Sequence, residues 1–180
     1  ISGDSKAWAI DAENGRISWK VDGIGNETNL ISSNSPAVSG KYALFGFGNG
    51  EIYATFKKGG YVLWSSSLSG RGDSRVISAI DDIVASPAIV GRNVYAADGS
   101  GKVVSLKIEN GERNWTAPFG SSGNFWIAGK ALFFISDTNK LVRLEMKTGK
   151  TVWLTELPSF SQKRLLRSKK NNQHHGPIIA

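Results

Sequence analysis

A glycine that stands four residues before a tryptophan occurs four times along this chain of 180 residues. The four pairs are Gly15–Trp19, Gly60–Trp64, Gly111–Trp115 and Gly149–Trp153. The tryptophans are 45, 51 and 38 residues apart, so the chain repeats a unit of roughly 40–50 residues. A repeat of this length restricts the fold to architectures in which one supersecondary unit stacks on the next.

The sequence around each pair is typical of a β-hairpin. Asn14-Gly15 and Asn110-Gly111 are strong turn signals, because glycine adopts positive φ without a steric penalty. A second hairpin signal, centred on Gly40, Gly91 or Gly129, precedes each of the last three copies. Each unit therefore contains four antiparallel strands, and no segment of useful length has helical periodicity. These features predict an all-β fold, a β-propeller built from four-stranded antiparallel blades.

The repeat also predicts where each blade begins and ends. We expect the end of one blade at 1–21, whole blades at 30–68, 83–118 and 122–157, a basic loop at 158–176, and the first strand of a further blade at 177–180. These strands make about four blades and do not complete a ring. The chain is therefore expected to be a fragment of a larger propeller, and its open apolar blade faces predict self-association.

The tryptophans are predicted to join neighbouring blades. One blade cannot bury both of its faces, so a tryptophan at the end of the outer strand can lie across the seam to the next blade. The glycine of the motif is expected to let the strand turn beneath the ring. The predicted structural docking residues are Trp19, Trp64, Trp115, Trp153, Gly15, Gly60, Gly111 and Gly149.

The positive charge of the chain is concentrated in one segment. The net charge is +7, and the acid-free segment 161–176 contains the five basic residues Lys163, Arg164, Arg167, Lys169 and Lys170. Without them the remaining chain is nearly neutral. Such a patch fits either a solvated loop or a polyanion site, and the former interpretation is favoured. No nucleic-acid partner is predicted.

Residues for catalysis or cofactor binding are sparse. The chain has no cysteine, which excludes thiolate metal sites and cysteine catalysis. The acidic residues are scattered among turn signals, and the two histidines, His174 and His175, are adjacent and would point in opposite directions on a strand. No catalytic residue, metal site or cofactor is therefore predicted.

The segment 9–19, which reads AIDAENGRISW, resembles the repeat of the quinoprotein-dehydrogenase-like propellers, and so does the segment 147–153. That superfamily includes the PQQ-dependent alcohol dehydrogenases and the BamB-like outer-membrane assembly lipoproteins. Segments 35–40, 68–72, 76–83 and 156–160 resemble the BamB-like proteins in particular. Similarity of this kind extends over nearly the whole chain.

This resemblance implies an eight-bladed propeller that is a non-enzymatic scaffold. It implies a periplasmic location, peripheral to the inner leaflet of the outer membrane, with a lipid anchor outside this chain. The implied partner is a POTRA domain of a BamA-like outer-membrane insertase, and the implied role is to assist insertion of outer-membrane proteins. The alternative is a fragment of a PQQ-dependent quinoprotein dehydrogenase, which would hold PQQ and Ca²⁺.

In BamB-like proteins, the BamA-binding surface includes a connection that corresponds to residues 75–84 here. Ile77, Ile80 and Asp82 match its apolar-apolar-acidic pattern, and Arg75 lies beside them. Long connections on a rigid scaffold often carry binding residues. The alternative interpretation is that the isoleucines pack onto the face of the propeller.

Overall fold

The computed structural model describes residues 6–23, 34–47, 50–68, 85–98, 101–121, 123–158, 174 and 176–177. Within these residues the chain forms four antiparallel sheets, which we call the first to fourth blades. The first blade has β1 (Lys6–Ile10) and β2 (Ile17–Asp22), and the second has β3 (Ala37–Ser39), β4 (Tyr42–Gly46), β5 (Glu51–Phe56) and β6 (Val62–Ser67). The third has β7 (Ala88–Val90), β8 (Asn93–Ala97), β9 (Val103–Lys107) and β10 (Arg113–Ala117). The fourth has β11 (Trp126–Ala128), β12 (Ala131–Ile135), β13 (Lys140–Glu145) and β14 (Thr151–Glu156).

Each blade is a meander in which consecutive strands are neighbours. The strands alternate direction, so the turns between the third and fourth strands lie at one end of every blade. The connections from one blade to the next lie at the opposite end. The pairing of the last two strands shifts register in all four blades, close to the glycine turn. This recurrent bulge increases the local twist of the outer hairpin.

The sequence patterns explain these elements. Short alternating strands are separated by glycines that adopt positive φ, including Gly40, Gly91 and Gly129 in the inner hairpins. The prediction of an all-β propeller with four-stranded blades is confirmed. In the part of the chain that the structure describes, no helix is long and apolar enough to cross a membrane.

Most strands lie inside the ranges expected from the repeat, but β2 ends at Asp22, one residue beyond the expected range 1–21. The range 30–68 contains β3 to β6, 83–118 contains β7 to β10, and 122–157 contains β11 to β14. The five basic residues of the predicted loop 158–176 lie outside the described residues, as does most of the predicted strand 177–180. Those two segments stay predictions.

Hydrophobic side chains fill the seams between blades. We call the side of a blade that carries its tryptophan the indole face, and the other side the receiving face. In the seam between the second and third blades, the buried residues include Leu44, Ala54 and Trp64 from the indole face and Val94, Val104 and Leu106 from the receiving face. The next seam joins Tyr95 and Ala97 to Leu132, Phe134 and Val142. The core therefore lies between blades, in successive layers.

Candidate functional site

Each described seam brings the tryptophan of one blade onto the glycine turn of the next blade. A Cβ atom on Gly111 would lie 2.5 Å from Cε3 of Trp64, a distance that no real side chain tolerates. Gly60 has the same relation to Trp19, and Gly149 to Trp115, with the same 2.5 Å. The three glycines have φ of 70 or 71°, which favours glycine for a second reason. The ring therefore occupies the space that any other residue would fill.

A hydrogen bond fixes each ring in place. The indole N–H of Trp64 donates to the carbonyl of Ile108 at 2.9 Å. The N–H of Trp19 donates to the carbonyl of Lys57 at 3.1 Å, and that of Trp115 to the carbonyl of Met146 at 3.0 Å. In all three seams the acceptor lies three residues before the glycine. Without this bond the N–H would be partly buried and have no acceptor. The bond therefore fixes the orientation of the indole ring, which apolar contacts alone would not do.

The structure changes the role that the sequence suggested for the glycine. The sequence suggested that each glycine lies beneath the tryptophan of its own hairpin. The structure instead places Gly60 and Gly111 beneath the rings of the preceding blades. The physical reason is that a blade must bury its indole face against a neighbour, and the neighbour's tight turn offers the closest approach. The sequence shows that each glycine stands four residues before a tryptophan. This spacing does not determine which tryptophan ring packs on which glycine.

The seam between the third and fourth blades also contains a polar cluster. The side-chain amide of Asn114 donates to Asn93 Oδ1 at 3.1 Å and to Ser105 Oγ at 3.2 Å. The hydroxyl of the buried Tyr95 donates a hydrogen bond to the carbonyl oxygen of Met146, at 3.4 Å between the two oxygens. Burial raises the pKa of Tyr95, and hydrogen bonds with Ser105 and Asn93 lower it in part. The tyrosine therefore stays neutral at physiological pH and acts as a structural donor.

The receiving face of the first blade is open among the described residues. Trp8 stands seven residues before its turn glycine and is 38% exposed, whereas its counterparts Val104 and Val142 are fully buried. Ile10 is 63% exposed, whereas Leu106 and Leu144 at the same position are fully buried. A Cβ atom on Gly15 would meet nothing within 4 Å. Gly15 therefore has the conformation of a seam glycine without a ring above it.

The indole face of the fourth blade is open in the same sense. Trp153 is 37% exposed, compared with 9% for Trp64, and no described glycine lies beneath its ring. Trp126 is also 37% exposed and shares this face with Phe133, its cross-strand partner. The ring of Trp153 lies 5.9 Å from that of Phe133, in a tilted arrangement. The face thus presents a row of aromatic rings.

An arginine on this face has no equivalent in the other blades. Six residues before the turn glycine, the first three blades have Ala9, Ala54 and Ser105, and the fourth has Arg143. Arg143 pairs with Trp153 across the strands, and its guanidinium lies 5.8 Å from the centre of the Phe133 ring. Its Nε is buried and has no hydrogen-bond partner among the described residues. Arg143 was not among the site residues predicted from the sequence, where its signal is a large charged side chain at a position that is small in the other three blades.

The predicted partner-binding residues Arg75, Ile77, Ile80 and Asp82 lie outside the described residues. The structure describes the two points between which their segment runs. Leu68 and Ala85 are both fully buried, and the amide of Leu68 donates to the Gly50 carbonyl at 2.9 Å. Both points belong to the end of the blades opposite the glycine turns. Segment 69–84 is therefore attached to the scaffold at two fixed positions.

Among the described residues, no three histidine, aspartate or glutamate side chains converge in a way that could hold a metal ion. Several of the described acidic residues pair with lysine or arginine at the surface, as Glu112 does with Lys107 at 2.7 Å. The hydrogen bond and charge of Lys107 lower the pKa of Glu112. These exposed pairs contribute little to stability.

Comparison with known proteins gives one consistent family. The family model described as "Outer membrane protein assembly factor BamB" matches residues 1–155. The protein of that name from Moranella endobia is 24% identical over 145 residues, which cover 81% of this chain and 37% of that protein. The chain thus spans just over a third of the length of this relative.

Solved structures agree on the fold. The crystal structure of BamB from Moraxella catarrhalis matches with a TM-score of 0.73 and 22% identity, over 87% of this chain and 50% of that chain. A quinohemoprotein alcohol dehydrogenase from Pseudomonas putida HK5 matches with a TM-score of 0.66 and 17% identity, over 87% of this chain and 33% of that one. At these identities, both likenesses show the fold alone.

Proposed function

The chain belongs to the family of the outer membrane protein assembly factor BamB, and from this premise we propose that it is a non-enzymatic scaffold of the outer-membrane β-barrel assembly machinery. The observation that carries the proposal is the family match over residues 1–155. The proposed location is the periplasm, at the inner leaflet of the outer membrane. The proposed partner is a POTRA domain of a BamA-like insertase.

The architecture supports a scaffold. Three seams join the four blades into one stacked frame, and a rigid frame that presents loops is suited to binding another protein. The dehydrogenase alternative has less support, because its structural relatives share only the fold at 17% identity or below.

We place the partner surface on residues 75–84, with Arg75, Ile77, Ile80 and Asp82 as contact residues. An apolar centre with charged neighbours is the usual composition of such a surface. An extended partner segment could also pair with an exposed strand edge. The residues that flank segment 69–84, Leu68 and Ala85, are buried at the end of the blades opposite the glycine turns.

Reversing the charge of Asp82 tests this surface. We expect Asp82→Arg to weaken binding to purified BamA POTRA domains roughly ten- to hundredfold, because it places a like charge or an unpaired charge in the interface. The measurement is calorimetric titration of each variant. The matched control is Glu13→Arg, which makes the same change of charge at an exposed residue of the turn that contains Gly15. Equal affinity for Asp82→Arg and the unmodified chain would contradict the placement of the surface on residues 75–84.

We also propose that the chain associates with itself through its open blade faces. Exposed tryptophan and isoleucine on these faces form apolar patches of the kind that soluble proteins normally cover.

A further inference from the structure

We infer that the cleft between the third and fourth blades, at the end of the glycine turns, is a binding site for the carboxyl-terminal residue of a peptide. The cleft has a volume of about 710 Å³, which is within the usual range of small-ligand sites. All of its lining residues belong to two consecutive described blades. The inference goes beyond the proposed scaffold function and does not involve residues 75–84.

The two walls of the cleft come from different blades. One wall is the indole face of the third blade, where Tyr95 and Ser105 are buried. The other wall consists of two turns of the fourth blade, which contain Lys130 and Met146. The amide of Met146 donates to the Lys130 carbonyl at 3.0 Å, and the Met146 carbonyl accepts hydrogen bonds from the side chains of Trp115 and Tyr95. The walls are therefore held together before a ligand binds, which lowers the entropic cost of binding.

The polar cluster of this seam replaces mainly apolar residues of the second blade. By strand pairing, the positions of Asn93, Tyr95, Ser105 and Asn114 correspond to those of Tyr42, Leu44, Ala54 and Leu63. In the second blade, Leu44 and Ala54 are fully buried in the seam and Tyr42 packs against the same core. A seam therefore forms without polar groups at these positions. Burial of the Ser105 and Tyr95 hydroxyls carries a desolvation cost, so the cluster indicates a role other than stability.

The two asparagines at this cleft retain one acceptor and one donor for a ligand. The amide nitrogen of Asn114 uses both of its hydrogens, on Asn93 Oδ1 and on Ser105 Oγ. No described residue donates to the oxygen of Asn114, and the Asn93 amide contacts only Tyr95. In an extended peptide the N–H and the carbonyl oxygen of one residue point to the same side. The Asn114 oxygen can therefore accept the N–H of a terminal residue while the Asn93 amide donates to its carboxylate.

The charges around the cleft favour an anionic ligand. Lys130 and Lys147 belong to its lining and are exposed, and neither has an ion-pair partner among the described residues. Glu145 is the one acidic residue of the lining, and it accepts a hydrogen bond from Thr148. Two ammonium groups beside an amide donor suit a carboxylate, because charge-assisted hydrogen bonds are the stronger ones.

A neutral sugar fits this cleft less well than a peptide carboxylate. The one aromatic ring of the lining belongs to Tyr95, which is 1% exposed and therefore has no free ring face for a sugar to stack on. A neutral ligand would also leave the ammonium groups of Lys130 and Lys147 without an opposite charge. A sugar is therefore the alternative that the experiment has to distinguish.

The test is an NMR titration of the ¹⁵N-labelled 180-residue chain with acetyl-Ala-Ala, whose carboxylate is free. We expect saturable shifts of the side-chain amide signals of Asn93 and Asn114. The same peptide with an amidated end lacks the negative charge, and we expect it to bind about tenfold more weakly. Absence of saturable shifts, or equal binding of the amidated peptide, would overturn the inference. Tighter binding of N-acetylglucosamine than of acetyl-Ala-Ala would overturn the assignment to a peptide.

Two substitutions test the location of the site. We expect Lys147→Ala to weaken the binding of acetyl-Ala-Ala about five- to tenfold, and its control is Lys58→Ala, which changes the same position of the repeat in the second blade. We expect Asn114→Leu to weaken binding about tenfold, because it removes the acceptor for the peptide N–H. Leucine already stands at this position of the second blade, as Leu63, so the fold should accommodate it. Unchanged affinity of both cleft variants would overturn the placement of the site in this cleft, whatever the result with the POTRA domains.

Discussion

Replacing Gly111 with alanine is expected to destabilise the protein by about 3–5 kcal/mol. The positive φ of 71° accounts for roughly 1–2 kcal/mol of this, because an L-residue is strained in that conformation. The remainder arises because the new Cβ would lie 2.5 Å from the Trp64 ring and must displace it from a buried seam. Urea denaturation followed by circular dichroism measures the change in the midpoint.

The control for this substitution is Gly91→Ala. Gly91 also has positive φ, at 58°, but a Cβ there would meet nothing within 4 Å. We therefore expect only the conformational cost, about 1–2 kcal/mol. Equal destabilisation by the two substitutions would mean that the ring above Gly111 is unimportant, and would contradict the account of the seam.

Replacing Trp64 with alanine is expected to cost about 3–5 kcal/mol. The side chain is only 9% exposed, and its removal leaves a cavity between the second and third blades. The carbonyl of Ile108 also loses its donor. The same denaturation experiment at a concentration where the chain is monomeric measures the effect. Trp153→Ala is the control, because Trp153 is 37% exposed and should cost less than about 1 kcal/mol there.

The two substitutions should also be strongly non-additive. Once the Trp64 ring is absent, the Cβ that Gly111→Ala introduces has space, and only the backbone strain remains. In the double variant, Gly111→Ala should therefore add about 1–2 kcal/mol rather than about 3–5 kcal/mol. Additive effects within about 0.5 kcal/mol would show that the ring and the turn do not contact each other in solution.

The sequence predicts the blades well because their signals are local. The spacing of glycine and tryptophan, the alternation within strands and the turn chemistry each fall within a few residues. Those local signals correctly predict the number of strands per blade. The family was correctly predicted from a different feature, the resemblance of longer segments to the BamB-like proteins.

Contacts between blades could not be predicted in the same way. Gly60 meets Trp19 rather than Trp64, and both tryptophans stand at the same position of the repeat. A repeated motif is equally consistent with pairing inside a blade and between blades, so only the three-dimensional stacking decides. Arg143 was missed for a related reason, because its significance depends on the small residues at the same position in other blades.

The partner surface was proposed from resemblance rather than from geometry. Ile77, Ile80 and Asp82 lie outside the described residues, so their role stays a prediction. What the structure adds is the position of Leu68 and Ala85, which attach the segment to two neighbouring blades.

The measurement that tests the proposed function most directly is calorimetric titration of the folded 180-residue chain with purified BamA POTRA domains. We expect saturable binding with a defined stoichiometry, and a PQQ absorption spectrum that stays that of the free compound when PQQ and Ca²⁺ are added to the same sample. A chain that is folded by circular dichroism, does not bind the POTRA domains and instead takes up PQQ with Ca²⁺ would contradict the scaffold function and support a dehydrogenase. Absence of POTRA binding by the folded chain would be sufficient to reject the proposed partner.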